Sequence, residues 1–290
     1  MATFMPLVYN TAASSCTYPR HRTRPPPEPP RDGRFALGSH VAAKIAVDVR
    51  AMRTFVLCGG KGTRAYPYTR DLPKPLLEVA GRPILRHLLE IYAGQGHTDF
   101  VLLGGFMIGR LEQFAAGLPR EWSVDVVDTG IDTNTGGRVR QCEGRTGSTF
   151  FLTYADGLGD VDLGALLDEH RRHGRLATLT AVPLPSQYGT IDVADDSMEV
   201  VRFNEKPSLP DHLINAGFFV MEEGIFERWP EPGDDLERDV LPALAALGEL
   251  SAHRHDGFWK SMDSYKDAVE LNELCADGPG PWLTGPPSAP

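Results

Sequence analysis

Between Arg53 and Cys275 the apolar positions follow two alternating rhythms. Short unbroken runs such as "RTFVLCG", "DFVLLGG" and "STFFLTYADG" have the length of buried strands and end in glycine or an acid. In contrast, "PILRHLLEIYAGQG" repeats Ile84, Leu85, Leu88, Leu89 and Tyr92 at helical spacing, with Pro83 suited to a first turn and Gly94 or Gly96 to an end. "GRLEQFAAG" predicts a short helix and "WSVDVVDTG" a strand, while "DLGALLDEHRRHG" predicts a helix that starts after an aspartate cap and closes at Gly174. Further on, "LATLTAVPL", "YGTIDV", "MEVVRFNEKP" and "LINAGFFVM" are strand-rich, and "DLERDVLPALAALG" and "SYKDAVELNELC" predict late helices. Strand–helix alternation in the first half predicts an α/β fold with a mixed, mostly parallel, Rossmann-like sheet covered by helices on both faces. The second half adds a strand-rich subdomain.

Residues 1–51 break this rhythm. They hold "RHRTRPPPEPPRDGR", carry seven Lys/Arg against three Asp/Glu, and show no sustained periodicity. Such a composition predicts a disordered extension or a start set upstream of the folded domain, because Met52 immediately precedes the first strand. The domain is expected over 52–275, with a tail over 276–290. At 290 residues and 41% hydrophobic, the chain can bury a sizeable core. A net charge of −10 argues against a nucleic-acid partner or a polybasic membrane contact, and no apolar run is long enough to span a bilayer. Cys16, Cys58, Cys142 and Cys275 lie far apart with no C-x-x-C spacing, which predicts unpaired thiols in a cytoplasmic protein. Lysine is scarce: only Lys44, Lys61, Lys74, Lys206, Lys260 and Lys266 occur among 29 basic residues.

The glycine-rich stretch narrows the chemistry. Gly60-Lys61-Gly62-Thr63-Arg64-Ala65 fits a G-x-G-x-x-A dinucleotide pattern, but Pro67, Pro73 and Pro75 forbid the helix that pattern requires. The P-loop pattern fails as well, since Gly62 precedes Thr63-Arg64. Glycines here still let backbone N–H groups approach a phosphate or base. No G-x-S-x-G elbow supports a serine nucleophile, and the histidines form no ligand pair.

"GGKGTRAYPYTRDLPKP" resembles the signature of the sugar-1-phosphate nucleotidylyltransferases, G-G-x-G-T-R followed by P-K-P, and the resemblance runs on through Met262-Asp263. The segment "DTGIDTNTGGRVRQ" most resembles the glucose-1-phosphate cytidylyltransferase branch. That resemblance implies transfer of a nucleotidyl group from an NTP, CTP being favoured, to a sugar 1-phosphate such as glucose 1-phosphate. The implied roles are Arg64 and Lys74 as catalytic cations, and Asp156 with Asp263 as ligands of Mg²⁺. Gly59, Gly60, Gly62, Thr63, Thr135, Gly136, Gly137 and Arg138 are the implied nucleotide residues, with Arg138 donating to a pyrimidine O2. Gly189, Glu205, Lys206 and Asn215 would bind the sugar phosphate, making the strand-rich subdomain a sugar-binding one. The family usually assembles, so a homo-oligomer is expected.

Each position has a plainer explanation beside it. Asp156 suits a turn before Gly157, Asp263 a helix N-cap, Gly189 a bulge, Lys206 a solvated surface, and "TGGR" a helix-entry turn. The P-x-T-R spacing, "YADG" in place of Y-G-D-G, and Lys260 depart from the cytidylyl pattern. They leave open a guanylyl-, adenylyl- or thymidylyltransferase acting on a modified sugar or cyclitol phosphate. A catalytically silent nucleotide-binding scaffold is the remaining alternative.

Overall fold

A computed structural model describes residues 52–63 and 67–283. The expected extension over 1–51, the candidate catalytic Arg64 and the chain from 284 lie outside the described residues. The first strand, β1 (Thr54–Leu57), leads into a loop whose described residues include the 3-10 turns Tyr68–Arg70 and Lys74–Leu76, where the prolines prevent a longer helix. Next come a small ladder of β2 (Glu78–Val79) and β3 (Arg82–Pro83), and helix α1 (Ile84–Gly94). They are followed by β4 (Asp99–Gly104), α2 (Ile108–Ala116), β5 (Ser123–Asp128), α3 (Thr135–Arg140) and β6 (Thr149–Tyr154). The chain continues through β7 (Gly157–Gly159), α4 (Leu163–His173), β8 (Ala177–Pro185), β9 (Thr190–Val193), β10 (Val200–Asn204), β11 (Ser208–Asn215) and β12 (Phe219–Glu222). A π-helical turn over Leu236–Val240 precedes α5 (Leu241–Ala246), β13 (Leu250–Arg254), β14 (Trp259–Ser261) and α6 (Tyr265–Glu273).

The main sheet has eight strands in the order β11-β8-β12-β6-β1-β4-β5, with β13 paired to β8. Its β6-β1-β4-β5 portion is parallel throughout, and β12 and β11 add antiparallel pairings. Successive strand residues feed two separate cores. Val56, Phe100, Leu102, Phe151 and Val220 face the cluster covered by α1, α2, α4 and α6. Phe55, Val101, Leu103, Phe150, Leu152 and Phe219 face the cluster covered by α3 and α5. Burial on both faces is why these strands appear in the sequence as unbroken apolar runs.

Local signals place the helix ends. The Asp162 carboxylate caps α4 by accepting from Ala165 N–H at 2.8 Å, and Gly174 ends it in the left-handed region at φ 62°. Pro83 stands just ahead of α1, one position earlier than a first-turn proline. The stretch "LINAGFFVM" is two strands rather than one. Asn215 Oδ1 accepts from Gly217 N–H at 2.9 Å, an Asx-type turn, and Gly217 adopts φ 78°. Beyond β8, β9 and β10 form a separate antiparallel arm with Ile191, Met198, Val200, Val201 and Phe203 exposed.

Candidate active site

The parallel strands end on a common edge, and the loops leaving them converge there. A cavity of about 300 Å³ opens at this edge. It is lined by Cys58, Gly59, Gly60 and Gly62 after β1, Lys74 and Pro75 of the second 3-10 turn, Thr133, Asn134, Thr135 and Arg138 around the start of α3, and Tyr154, Ala155 and Asp156 after β6. The carboxyl edge of an open α/β sheet is where such folds bind ligands.

The strongest electrostatic feature on its wall is a lysine held by two carboxylates. Lys74 Nζ donates to Asp156 Oδ2 at 2.5 Å and to Asp263 Oδ1 at 2.9 Å, with only 12% of the lysine side chain exposed. Burial alone pulls the Lys74 pKa down, but Asp156 and Asp263 outweigh it, so the ammonium sits above its usual 10.5. The two aspartates, far apart in sequence, meet through β7 and β14, which pair antiparallel from Trp259–Gly159 to Ser261–Gly157. One step on, Met262 N–H donates to the Asp156 carbonyl at 2.9 Å. Asp263 is not the cap of α6. Ser264 fills that position, in a capping box with Asp267, while Ser261 Oγ donates to Asp263 Oδ2 at 3.2 Å.

This donor set fits a hard divalent cation. Mg²⁺ takes oxygen ligands, commonly only one or two protein carboxylates, and completes its shell with water and phosphate oxygens. Asp156 and Asp263 supply two such carboxylates around one point of positive charge. Among the described residues no third His, Cys, Asp or Glu joins them.

Arg138 is nearly fully buried and ties three loops together. Its Nη1 donates to the Gly104 carbonyl at 2.7 Å and to Thr129 Oγ1 at 2.5 Å, and its Nη2 donates to the Gly59 carbonyl at 3.1 Å. Three of its five donors are thus committed to protein acceptors, which makes it a clamp on the ends of β1, β4 and β5. A Cβ on Gly59 would overlap its guanidinium, so this glycine is required by close approach. Gly136 and Gly137 lie off the cavity lining. Their bare faces meet Gly233 and Asp234, and Gly137 N–H donates to the Asp234 carbonyl at 2.9 Å. Their small size therefore lets α3 pack on that loop, rather than letting backbone reach a base. Thr63 is exposed and off the lining.

On the expected sugar side, Asn215 Nδ2 donates to Tyr154 Oη at 3.1 Å, which connects it to a residue of the cavity wall. Gly189, Glu205 and Lys206 belong to the arm and its return, away from the cavity lining. Gly189 has a packing reason of its own, since a Cβ there would run into the Phe203 ring. Lys206 is half-exposed, 3.7 Å from Glu205. Sequence reasoning missed Cys58, Thr133, Asn134 and Tyr154 on the wall. Tyr154 had a signal, two residues before Asp156 on the same strand end; Cys58 is a buried thiol whose pKa burial raises.

Residues 53–277 match the family model described as "Nucleotidyl transferase". The chain belongs to that family. This nucleotidyl transferase is 37% identical over 254 residues to a probable glucose-1-phosphate cytidylyltransferase of Bacillus subtilis, covering 80% of this chain and 99% of that one. It is 34% identical to the glucose-1-phosphate cytidylyltransferase of Salmonella typhi, with the same coverage. A mannose-1-phosphate guanyltransferase of Hypocrea jecorina is 30% identical over 74% of this chain and 62% of its own. In fold, the chain is similar to HddC of Yersinia pseudotuberculosis, with a TM-score of 0.62 at 22% identity over 77% of this chain and 99% of that one.

Proposed function

We propose that this nucleotidyl transferase converts CTP and glucose 1-phosphate to CDP-glucose and pyrophosphate. The observation that carries the reading is the placement of Lys74 and Asp156 on the wall of a cavity at the carboxyl edge of the sheet, with Asp263 bonded to Lys74 behind that wall. Cytidylyltransferase relatives matched over 99% of their length support the choice of substrates. An oxygen of the sugar phosphate attacks the α-phosphorus of the nucleotide, the α–β anhydride bond breaks, and pyrophosphate leaves. No covalent enzyme intermediate is needed, so positioning and charge stabilisation are the catalytic terms.

Lys74, joined by Arg64, stabilises charge developing on the phosphates. Asp156 and Asp263 would hold Mg²⁺, which when bound neutralises the triphosphate. The loop glycines Gly59, Gly60 and Gly62 bring backbone N–H groups to the nucleotide, and Thr135 and Arg138 shape its wall. Asn215 contacts the sugar, while Gly189, Glu205 and Lys206 bring the arm to the sugar phosphate. The catalytic unit is 52–275, working in the cytoplasm as a homo-oligomer. The exposed apolar side chains of the β9–β10 arm and the free thiols Cys58, Cys142 and Cys275 support those last two points. No helix among the described residues is long and apolar enough to cross a membrane.

The test is pyrophosphate release with CTP, UTP, GTP, ATP or dTTP at subsaturating concentration, against glucose 1-phosphate and mannose 1-phosphate. CTP with glucose 1-phosphate is expected to lead UTP by about 10- to 100-fold, the cost of one unmatched buried polar group at the cytosine amino position. A preference for GTP, ATP or dTTP overturns the cytidylyl assignment and keeps nucleotidyl transfer. No release with any pair overturns both.

A further inference from the structure

We propose that Glu237 is a positioning residue that couples the two halves of the site, holding the base-side helix α3 and the sugar-side turn after β11 in one register. The inference rests on the nucleotidyl-transfer reading and deepens it. Glu237 projects from the π-helical turn and receives two hydroxyl protons. Thr135 Oγ1 donates to its Oε2 at 2.7 Å, and Tyr154 Oη donates to its Oε1 at 2.5 Å. Tyr154 Oη in turn accepts from Asn215 Nδ2 at 3.1 Å. One carboxylate thus closes a hydrogen-bonded chain that starts on the cavity wall at Thr135, returns to the wall at Tyr154, and ends at Asn215.

The direction of every bond in this chain is fixed. A hydroxyl has one proton, and Thr135 and Tyr154 each give theirs to a group that can only accept. Tyr154 can therefore only accept from Asn215, which turns the amide nitrogen toward the phenol and leaves Oδ1 for Gly217 N–H at 2.9 Å. The same orientation fixes the Asx-type turn that separates β11 from β12. At the other end, Thr135 Oγ1 also accepts from Leu236 N–H at 3.0 Å, so its hydroxyl is committed as both donor and acceptor. The platform beneath Glu237 is pinned as well. Asp235 Oδ1 accepts from the N–H groups of Glu237 and Arg238 at 3.1 and 2.8 Å, and Asp239 Oδ2 accepts from Asp235 N–H at 3.0 Å.

A nucleotide that sets the position of α3 thereby orders Asn215 before the sugar phosphate arrives. By linkage, a sugar phosphate that sets Asn215 tightens the nucleotide side by the same factor. Glu237 touches neither substrate; it acts through Thr135 and Tyr154.

The experiment is a double-mutant cycle of Thr135→Val and Asn215→Ala, read as kcat/KM for pyrophosphate release with CTP and glucose 1-phosphate. The expected combined loss differs from the product of the single losses by about threefold or more. That factor is expected to return to one when the cycle is repeated in a Tyr154→Phe or a Glu237→Ala background. A second arm measures CTP binding by calorimetry, where Asn215→Ala is expected to weaken a nucleotide it does not reach. Thermal melting of each variant separates lost fold from lost coupling. Additive losses in the native background, a factor that survives Tyr154→Phe or Glu237→Ala, or CTP affinity indifferent to Asn215 overturns the proposal. If the native chain releases no pyrophosphate, the transfer reading fails, and the calorimetric arm with CTP decides the coupling alone.

Discussion

A lysine between two carboxylates is a balanced arrangement that becomes unbalanced by any single change. Lys74→Gln takes away the ammonium that Asp156 and Asp263 share, and Asp156→Asn or Asp263→Asn removes a hard anionic ligand while keeping volume. Each variant is expected to lower kcat by about 10²-fold or more, the aspartate variants with a melting temperature within a few degrees of the native chain and Lys74→Gln with a larger drop. Pyrophosphate release over a Mg²⁺ titration, alongside thermal melting, checks this. Near-normal rates for both aspartate variants would remove the metal assignment. Because the folded pKa of Lys74 is raised, its ion pairing is complete below the ordinary 10.5 and is lost only as pH rises through the folded value. Neutral-pH profiles are therefore not set by Lys74. At this scale the sequence was partly legible. Scarce lysine picked out Lys74, and equally Lys61, Lys206 and Lys260, which the structure gives to a surface pair with Asp132, to the exposed arm, and to bracing of α6. Composition marks unusual lysines, but only folding reveals which one two distant aspartates will reach. Arg138 shows the converse, a predicted contact to the base whose donors the strand ends largely take up.

Helix α6 links local sequence to the site. Its capping box holds Asp267 Oδ2 against the N–H groups of Asp263 and Ser264, at 3.0 and 2.8 Å, and Lys260 reaches across to Glu270 at 2.6 Å. The first turn of the helix therefore sets the backbone from which the Asp263 carboxylate extends. Ser264→Ala is expected to cost about 1 kcal/mol and about 2–4 °C in Tm, and to lower turnover although Ser264 makes no bond to Lys74. Burial pushes the Asp267 pKa up, but its bonds to Ser264, Lys260 and Asp263 outweigh this and leave it below the ordinary 3.8. Its contribution is then full above about pH 3.8 and is lost as pH falls through the lower folded value. An acid melt of Asp267→Asn against the native chain should converge toward the lowest pH; a constant gap would contradict the assignment. Elements with strong periodicity, such as α1 and α4, were legible in sequence. Helix α3 was legible only as the plainer helix-entry reading of "TGGR", because two glycines in six residues hide a helix whose packing against Gly233 and Asp234 demands them. The break inside "LINAGFFVM" was hidden too, since an Asx-type turn leaves an apolar run looking continuous.

Across the whole molecule, one sheet separates two apolar cores, and the central strands serve both. Phe151 is fully buried, with its ring edge-on to Tyr92 at 5.7 Å between centroids. Phe151→Ala is expected to cost about 3–5 kcal/mol and, for a domain of this size, roughly 6–20 °C in Tm by calorimetry. A shift under about 3 °C would mean that the core closes over the gap. Strand–helix alternation was enough to predict this layering; the pairing of β7 with β14 was not, since three-residue strands carry too little pattern. Yet that short ladder has a consequence for the timing of local opening. Native proteins open in cooperative patches, each with its own free energy. Here the residues flanking Asp156 and those flanking Asp263 belong to a single patch, because the Met262 N–H to Asp156 carbonyl bond continues the ladder to the carboxylates themselves. While the ladder is closed, the backbone around Asp263 is tied to the backbone around Asp156, which the end of β6 holds in the central sheet. The lifetime of the assembled site is then expected to follow the lifetime of a three-residue ladder, read as hydrogen exchange at the Met262 amide.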